Sequence, residues 1–467
     1  MYRVSSKILA TGRTPAHGHA GCIYRHRNQR HAGEGRLTLT VDETSFPNAK
    51  LRNALLIAYK ALADLAGKGS LFVITVVAAR RLSSEAFGVF ALGSTLGWII
   101  AVVSDCGIQL HLARAVARDP ADASRLLRGW LRVRLWTAAG ALAVVAIGLA
   151  TGWRTASAAP IAVLAVVYTG SGLIELLHYF YRGLSRSDVE SSLTLWQRGA
   201  TLGCGLIALA WKPDVTLLAS ALLLPVVVTL AISLRIAARL ATGRPEGLHD
   251  DGRANLQVRL WPVFRRDVWP IGVGIVLSAL YFRIDVFLVQ LWSGTESVAL
   301  YNAVFRLVEA LRLFPAAVLA VVLPSLVRAG DLRPLTRLAV PITGFAIASA
   351  GVLWMAAGWL IPLLYGAPYA AAVPAFRVLL LSFPLLSLNF ALTHQLVGWD
   401  GQRAYAGLCA LALVINVALN ARLIPLWSIE GAAWATLGTE LFLTVGCGIA
   451  LWSRRAPLQV RRLVMEP

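Results

Sequence analysis

The chain has 467 residues, of which 57% are hydrophobic and 15% are charged, and it carries a formal net charge of +20. This much apolar sequence excludes an ordinary soluble globular protein. The positive charge would suggest nucleic acid in a soluble chain. In a membrane protein it follows from topology and from anionic lipid headgroups, so no nucleic-acid partner is predicted.

A polar arm, predicted to be disordered, makes up residues 1–52. It lacks the apolar segment and the small-residue cleavage site of a signal peptide, so we do not interpret it as one. One cysteine and four histidines lie in the arm, and because their spacing fits no zinc motif, no metal site is predicted. These residues are His17, His19, Cys22, His26 and His31.

Twelve apolar stretches of bilayer-spanning length follow the arm. A spanning helix needs about 20 mostly apolar residues, and only helices and closed barrels satisfy their backbone hydrogen bonds inside a bilayer. The sequence therefore predicts an all-α, polytopic membrane protein with about twelve transmembrane helices. The predicted spans are 61–79, 87–105, 135–149, 159–181, 193–211, 215–234, 270–292, 298–327, 338–365, 373–399, 405–424 and 431–452.

Arginines outside these spans lie mostly in alternate connections. The even-numbered connections and the C-terminal tail carry nearly all of them, and basic residues near helix ends are retained on the cytoplasmic side. Both termini are therefore predicted to be cytoplasmic. The connection after the second span is assigned Arg114, Arg118, Arg125, Arg128, Arg132 and Arg134.

An internal repeat divides the spans into two sets of six. The segment 83–90, between spans one and two, parallels 294–301, between spans seven and eight. Many secondary transporters consist of two such repeats, which rock around a central site. The predicted organisation is a first six-helix lobe, a basic cytoplasmic linker, a second six-helix lobe and a cytoplasmic tail. These regions cover residues 53–240, 241–268, 269–452 and 453–467.

Short motifs along residues 52–450 carry a family resemblance. They comprise the segments 80–92 and 104–107, Asp285, and the segments 301–303, 315–326, 364–366, 416–420, 423–425 and 431–436. Together they resemble the polysaccharide flippases of the O-antigen (Wzx-like) type, in the MOP superfamily. The chain departs from that pattern at Cys106 and in its long N-terminal arm.

The resemblance implies a function that composition and spacing do not reach. It implies that an undecaprenyl-diphosphate-linked oligosaccharide is flipped from the cytoplasmic to the outer leaflet of the inner membrane, by alternating access of two lobes. The glycan would serve O-antigen, capsule or exopolysaccharide synthesis. The expected partners are this lipid-linked substrate, membrane lipids, and glycan polymerase and export proteins. No enzymatic activity is expected.

Charged residues inside the spans are the candidate site. A charge near the bilayer centre costs about 2.5–3.5 kcal/mol, so such residues usually face a cavity or a partner. Guanidinium groups match phosphate oxygens, and carboxylates would balance their charge. The alternative is that these residues form ion pairs that only fix helix packing. The predicted substrate-binding residues are Asp64, Lys68, Arg198, Arg283, Arg306 and Glu309.

Energy coupling is predicted to use a proton or a sodium ion, with no cofactor. The chain lacks a Walker A phosphate-binding loop: in Gly67-Lys68-Gly69-Ser70 the earlier glycine is replaced by Leu62. Glu175, His178 and Asp285 are the predicted coupling residues, because carboxylates and histidine can titrate in a protein-lined cavity. A single Glu-x-x-His does not make a carboxylate-bridged metal site, which needs the motif twice.

Three other functions fit parts of the pattern. A drug or organic-cation antiporter of the same superfamily would share the two lobes, but many cavity arginines would repel a cation. A membrane enzyme acting on lipid-linked glycans commonly carries a large extracytoplasmic loop, and the odd-numbered connections are short. A scaffold of a glycan-assembly complex would tolerate removal of the charges in the spans.

Overall fold

The computed structural model describes residues 49–152, 157–242, 262–328 and 332–465. Nearly all of the predicted N-terminal arm and most of the predicted basic linker lie outside these ranges. In the first helix, the side chains of the predicted site residues Asp64 and Lys68 also lie outside the described part of the structure. Every regular element in these ranges is a helix or helical turn, which confirms the predicted all-α class.

The described residues of the first half of the chain form seven helices. They are α1 (Ala49–Arg81), α2 (Ser84–Asp105), α3 (Ile108–Arg118), α4 (Ala123–Gly152), α5 (Ala158–Gly183), α6 (Ser187–Trp211) and α7 (Val215–Thr242). The second half begins with a π-helical turn (Phe264–Val268). It continues through α8 (Trp269–Leu311), α9 (Leu313–Arg328), α10 (Arg333–Tyr365), a 3-10 turn (Ala367–Ala372), α11 (Val373–Gly398) and α12 (Gln402–Met465).

Two of the helices are bent and long enough to cross a membrane twice. Eight segments of the described chain are long and apolar enough to span, and two of these contain 51 and 53 residues. The 51-residue segment bends at Gly294, where φ is 83°, and the 53-residue segment bends at Ser428, where φ is 48°. Counting each bent segment twice and adding α1 and α6, of 33 and 25 residues, gives the twelve crossings predicted.

The second connection differs from its prediction. The sequence assigns Arg134 to a cytoplasmic connection, but α4 begins at Ala123 and carries Arg134 inside the helix, fully buried. The prediction was wrong because charged residues at the start of α4 lower the local hydropathy without ending the helix. Ahead of α4, the short helix α3 buries Ile108, Leu112 and Val116 in one cluster.

Packing is densest within each half of the chain. In the first half α5 contacts α2, α3 and α7, and α7 also contacts α6. In the second half α12 packs along α8 and α11, and α11 packs along α10. The main contact between the halves is a seam in which α2 lies against α8. The largest hydrophobic cluster extends across this seam, with Phe87 and Phe90 from α2 and Val286 and Val298 from α8.

One end of this seam is closed by several contacts. The guanidinium of Arg80, at the end of α1, donates from Nε to the carbonyl oxygen of Leu364 at 2.7 Å and from Nη2 to that of Leu363. These carbonyls belong to the last turn of α10, whose dipole favours a cation. Beside them the ring of Phe87 packs edge-on against Tyr369, with centroids 6.1 Å apart.

Gly88 is required by the close approach of α2 to the bend in α8. A Cβ atom at this position would overlap the backbone carbonyl of Thr295 and lie 2.7 Å from its Cγ2 atom. We expect Gly88→Ala to lower the free energy of unfolding by about 1–3 kcal/mol, because backbone on the other side cannot move away as a flexible side chain would. The measurement is the melting temperature of the purified protein in detergent.

The matched control is Gly203→Ala in α6. A Cβ atom there meets no other atom within 4 Å, and alanine is the better helix former. Its melting temperature should stay at the wild-type value or rise slightly. Equal behaviour of the two variants would contradict the close contact between α2 and α8.

Candidate functional site

A cluster of arginines surrounds Glu309 in α8. Arg306 precedes Glu309 by one helical turn, and its Nη1 atom lies 2.9 Å from Oε2 of the carboxylate. Arg283 donates to the same oxygen from Nη2 at 2.7 Å, although 26 residues separate the two in sequence. The bend at Gly294 explains this contact, because it folds the two parts of α8 back against each other. The structure therefore brings three predicted site residues, Arg283, Arg306 and Glu309, into one contact.

Arg312 adds a third guanidinium group to this cluster. It interacts electrostatically with Glu309, and its Cζ atom lies 4.5 Å from the ring centroid of Phe282. Arg283 similarly lies 4.5 Å from the ring centroid of Phe305. The aromatic faces support the cations without neutralising them. Glu309 is the carboxylate that the three guanidinium groups share, while Asp285 also interacts electrostatically with Arg283 and Glu440 with Arg312.

Some of the buried guanidinium nitrogens have no hydrogen-bond acceptor. Within the described ranges, Nη1 of Arg283 and Nε of Arg306 are buried and lack one. The side chain of Arg283 is 4% exposed, whereas those of Arg306 and Glu309 are 24% and 34% exposed. Unsatisfied buried donors are costly, roughly 1–3 kcal/mol each and more for charged groups. An anion with several acceptor oxygens would satisfy them.

Asp285 belongs to a different hydrogen-bond network. Its carboxylate is buried and accepts a hydrogen bond from the hydroxyl of Tyr301, which also lies 3.3 Å from Oγ1 of Thr436. This network joins the two parts of α8 to α12. Its geometry fits a packing role, and the coupling role of Asp285 stays a prediction.

The remaining predicted residues lie in the first half of the chain. In α6, Arg198 packs over Gly67 of α1, with 3.4 Å between its Cγ atom and a Cβ atom placed on the glycine. In α5, Glu175 is exposed and close enough to Arg134 to interact electrostatically, whereas His178 is buried with its ring 6.3 Å from that of Tyr181. Within the described residues, Glu175 and Arg198 form no ion pair with Arg283, Arg306 or Glu309.

Arg134 is a buried cation that sequence reasoning missed. Its Nε atom lies 3.7 Å from Oδ1 of Asp105, and its Nη2 atom donates to the carbonyl of Ala101 at 3.0 Å. The other carboxylate oxygen of Asp105 accepts from the backbone N–H of Gly107 at 3.1 Å. The arginine stands one residue before a predicted span, so extending that span by one turn would have identified it. The pair ties the end of α2 to α4.

Comparison with known proteins identifies one family and one fold. The sequence matches the family described as polysaccharide biosynthesis protein over residues 55–329. A sequence comparison with curated proteins finds no match. The similar solved structures include multidrug resistance transporters of the MATE family and a lipid II flippase.

Three of these structures show the extent of the likeness. The lipid II flippase MurJ, in an inward closed conformation, has a TM-score of 0.64 at 11% identity, covering 87% of this chain and 91% of that one. An inward-facing multidrug resistance MATE family transporter of the MOP superfamily has a TM-score of 0.62 at 15% identity, covering 87% and 96%. A MOP superfamily transporter from Pyrococcus furiosus has a TM-score of 0.55 at 15% identity, covering 86% and 95%. The TM-scores show that the fold is shared, and at identities this low the likeness shows the fold alone.

Proposed function

Because this chain belongs to the polysaccharide biosynthesis protein family, we propose that it flips an undecaprenyl-diphosphate-linked oligosaccharide from the cytoplasmic to the outer leaflet of the inner membrane. The observation that carries this proposal is the cluster of Arg283, Arg306 and Arg312 around the carboxylate of Glu309. A lipid-linked glycan has one feature common to all sugar sequences, its diphosphate, and this cluster has the complementary charge.

The chemistry of the cluster suits a diphosphate. A diphosphate esterified at both ends carries two negative charges, and its oxygens can accept hydrogen bonds from the guanidinium groups of Arg283, Arg306 and Arg312. Guanidinium groups bind phosphate oxygens through two parallel N–H donors and lose less hydration than an ammonium group. Glu309 holds Arg283 and Arg306 in place before the substrate arrives, so that little side-chain ordering is needed on binding.

Movement of the substrate would follow from the arrangement of the two halves. The halves meet mainly along α2 and α8, so they can rock about this seam while the substrate diphosphate stays bound to arginines. The seam is closed where Arg80 meets the end of α10. With both termini cytoplasmic, as the arginine distribution predicts, this is the outer end, and the site would load from the cytoplasm. Glycan polymerase and export proteins would receive the product.

A cation antiporter is the less favourable alternative for this chain. Two guanidinium groups in hydrogen-bond contact with one carboxylate, and a third nearby, would repel an organic cation. Charge therefore separates the two functions within one fold.

The test is a flipping assay with purified protein in liposomes. A fluorescent diphosphate-linked oligosaccharide is placed in both leaflets, and the fraction that an impermeant quencher can reach is followed with time. We expect the fraction quenched to rise above that of empty liposomes, and a neutral glycolipid of the same chain length to stay unflipped. Transport of an organic cation by the same vesicles, without glycolipid flipping, would overturn the proposal in favour of the antiporter.

A further inference from the structure

A second buried carboxylate, Glu440, lies on the last predicted span. This residue is 2% exposed and stands near the middle of the span 431–452. Its Oε2 atom accepts a hydrogen bond from Nδ2 of Asn389 at 2.7 Å. Thr444 holds the amide in place by donating to Oδ1 of Asn389 at 2.9 Å. The carboxylate is thus positioned by neutral groups from α11 and α12.

In the described structure, no cation forms an ion pair with Glu440. In the part of the chain that the structure describes, no lysine, arginine or histidine nitrogen lies within 4 Å of its carboxylate. The cation that interacts with it electrostatically is Arg312, whose guanidinium lies over the ring of Phe282. Among the described residues, Tyr281 from α8 and Cys409 and Cys447 from the two parts of α12 are the other titratable groups that interact electrostatically with Glu440. α11 contributes the neutral Asn389.

An unpaired buried charge of this kind is unfavourable. Removing a partner from a buried ion pair costs about 3–5 kcal/mol, and a single charge in the hydrocarbon region is similarly costly. Binding one proton converts the carboxylate into a neutral acid and removes this cost. The surroundings of Glu440 therefore suit a carboxyl group that gains and loses a proton, rather than a permanent charge.

A small cavity adjoins the carboxyl group of Glu440. Its volume is about 10 Å³, close to the space of a single water molecule. Its walls include Glu440 itself, Asn416, Thr436, Thr439, Tyr281 and Phe282. Hydroxyl and amide groups around a space of this size can hold a water molecule that hydrogen-bonds to the carboxyl group.

We propose that Glu440 is a proton-binding site linked to the arginine cluster through Arg312. The inference rests on the proposed function, since the linked ligand is the substrate diphosphate. Arg312 is shared: it interacts with Glu309 in the cluster and with Glu440 beyond Phe282. A diphosphate near Arg312 offsets the positive potential that favours the Glu440 carboxylate. Diphosphate binding and protonation of Glu440 are therefore cooperative, and by linkage each strengthens the other equally.

The experiment measures proton uptake when the diphosphate binds. The full-length protein in nanodiscs is titrated with a short prenyl-diphosphate-linked sugar, esterified at both ends so that the probe itself does not titrate. Titration calorimetry in two buffers of different ionisation enthalpy gives the protons taken up per probe. We expect wild type to take up protons, with affinity rising as the pH falls, and Glu440→Gln to take up none and to bind independently of pH.

A matched control and a second variant keep the test decisive. Glu85→Gln changes an exposed carboxylate in the first turn of α2 and should behave as wild type. If Glu440→Gln fails to fold, Asn389→Ala leaves the carboxyl group in place but removes its donor. This second variant should move the midpoint of the pH dependence.

Two failures are distinguishable. Absence of probe binding to wild type would count against the proposed flippase function itself. Probe binding with the same proton uptake in wild type and Glu440→Gln would overturn the inference about Glu440 alone. Affinity that follows sodium concentration at constant pH, with no proton uptake, would also overturn it.

Discussion

Arg283→Ala should slow flipping of the diphosphate-linked glycan roughly tenfold to 100-fold. Hydrogen bonds to charged groups contribute about 1.5–3 kcal/mol, and each 1.4 kcal/mol corresponds to a factor of ten. Arg283 combines near-complete burial with a donor nitrogen that has no acceptor in the described structure. The measurement is the initial flipping rate in proteoliposomes at several substrate concentrations, normalised to the amount of folded protein.

Two further variants define what the arginine does. Arg283→Lys keeps the charge but loses the planar pair of donors, so its rate should fall between wild type and Arg283→Ala. Arg81→Ala removes an exposed arginine at the end of α1 and should leave the rate unchanged.

The same residues can be tested for a role limited to packing. If the Arg283 and Glu309 pair only fixes the two parts of α8, Arg283→Ala and Glu309→Ala should each lower the melting temperature, and the double variant should recover both stability and flipping. Wild-type flipping by a stable Arg283→Ala protein would refute a role of Arg283 in binding the diphosphate.

Arg134→Met should cause the largest loss of stability among single changes in the first half. Removing one partner of a buried ion pair leaves the other uncompensated and costs about 3–5 kcal/mol. Arg134 is fully buried, and its loss would leave the carboxylate of Asp105, which is 6% exposed, without a cation. The measurement is thermal unfolding in detergent, together with the yield of monodisperse protein.

A second substitution should restore much of that loss. Adding Asp105→Asn to Arg134→Met removes the stranded charge and keeps an oxygen for the N–H of Gly107. Arg132→Ala is the control, since Arg132 is exposed two residues away in α4 and should change stability by less than about 0.5 kcal/mol. Similar melting temperatures for Arg134→Met and Arg132→Ala would show that the buried pair contributes little.

Hydropathy alone predicted most of the fold. The length of the apolar stretches indicated twelve crossings. The repeat placed the segment 294–301 between spans seven and eight, and the bend of α8 lies at the start of that segment, at Gly294. The predicted start of the third span, at residue 135, was wrong. Local hydropathy reports lipid exposure, whereas Arg134 is shielded from lipid by its pairing with Asp105.

Prediction of the candidate site was less complete. Spacing on one helix placed Arg306 and Glu309 together, because residues three apart share a helix face. It could not show that Arg283 reaches the same carboxylate from 26 residues away. Glu440 was missed, although it is a charged residue inside the predicted span 431–452 and so met the criterion that identified the other candidates.

The sequence by itself determined that this protein is a bundle of membrane-spanning helices. The reason is that helix length and backbone hydrogen bonding are local properties, satisfied within each segment whatever its neighbours are. Only the tertiary structure decided which polar groups meet: Arg283 with Glu309, Arg134 with Asp105, and Glu440 with Asn389. Those pairings depend on the bend at Gly294 and on contacts between separate helices, and long-range packing of this kind leaves no periodic signal in the chain.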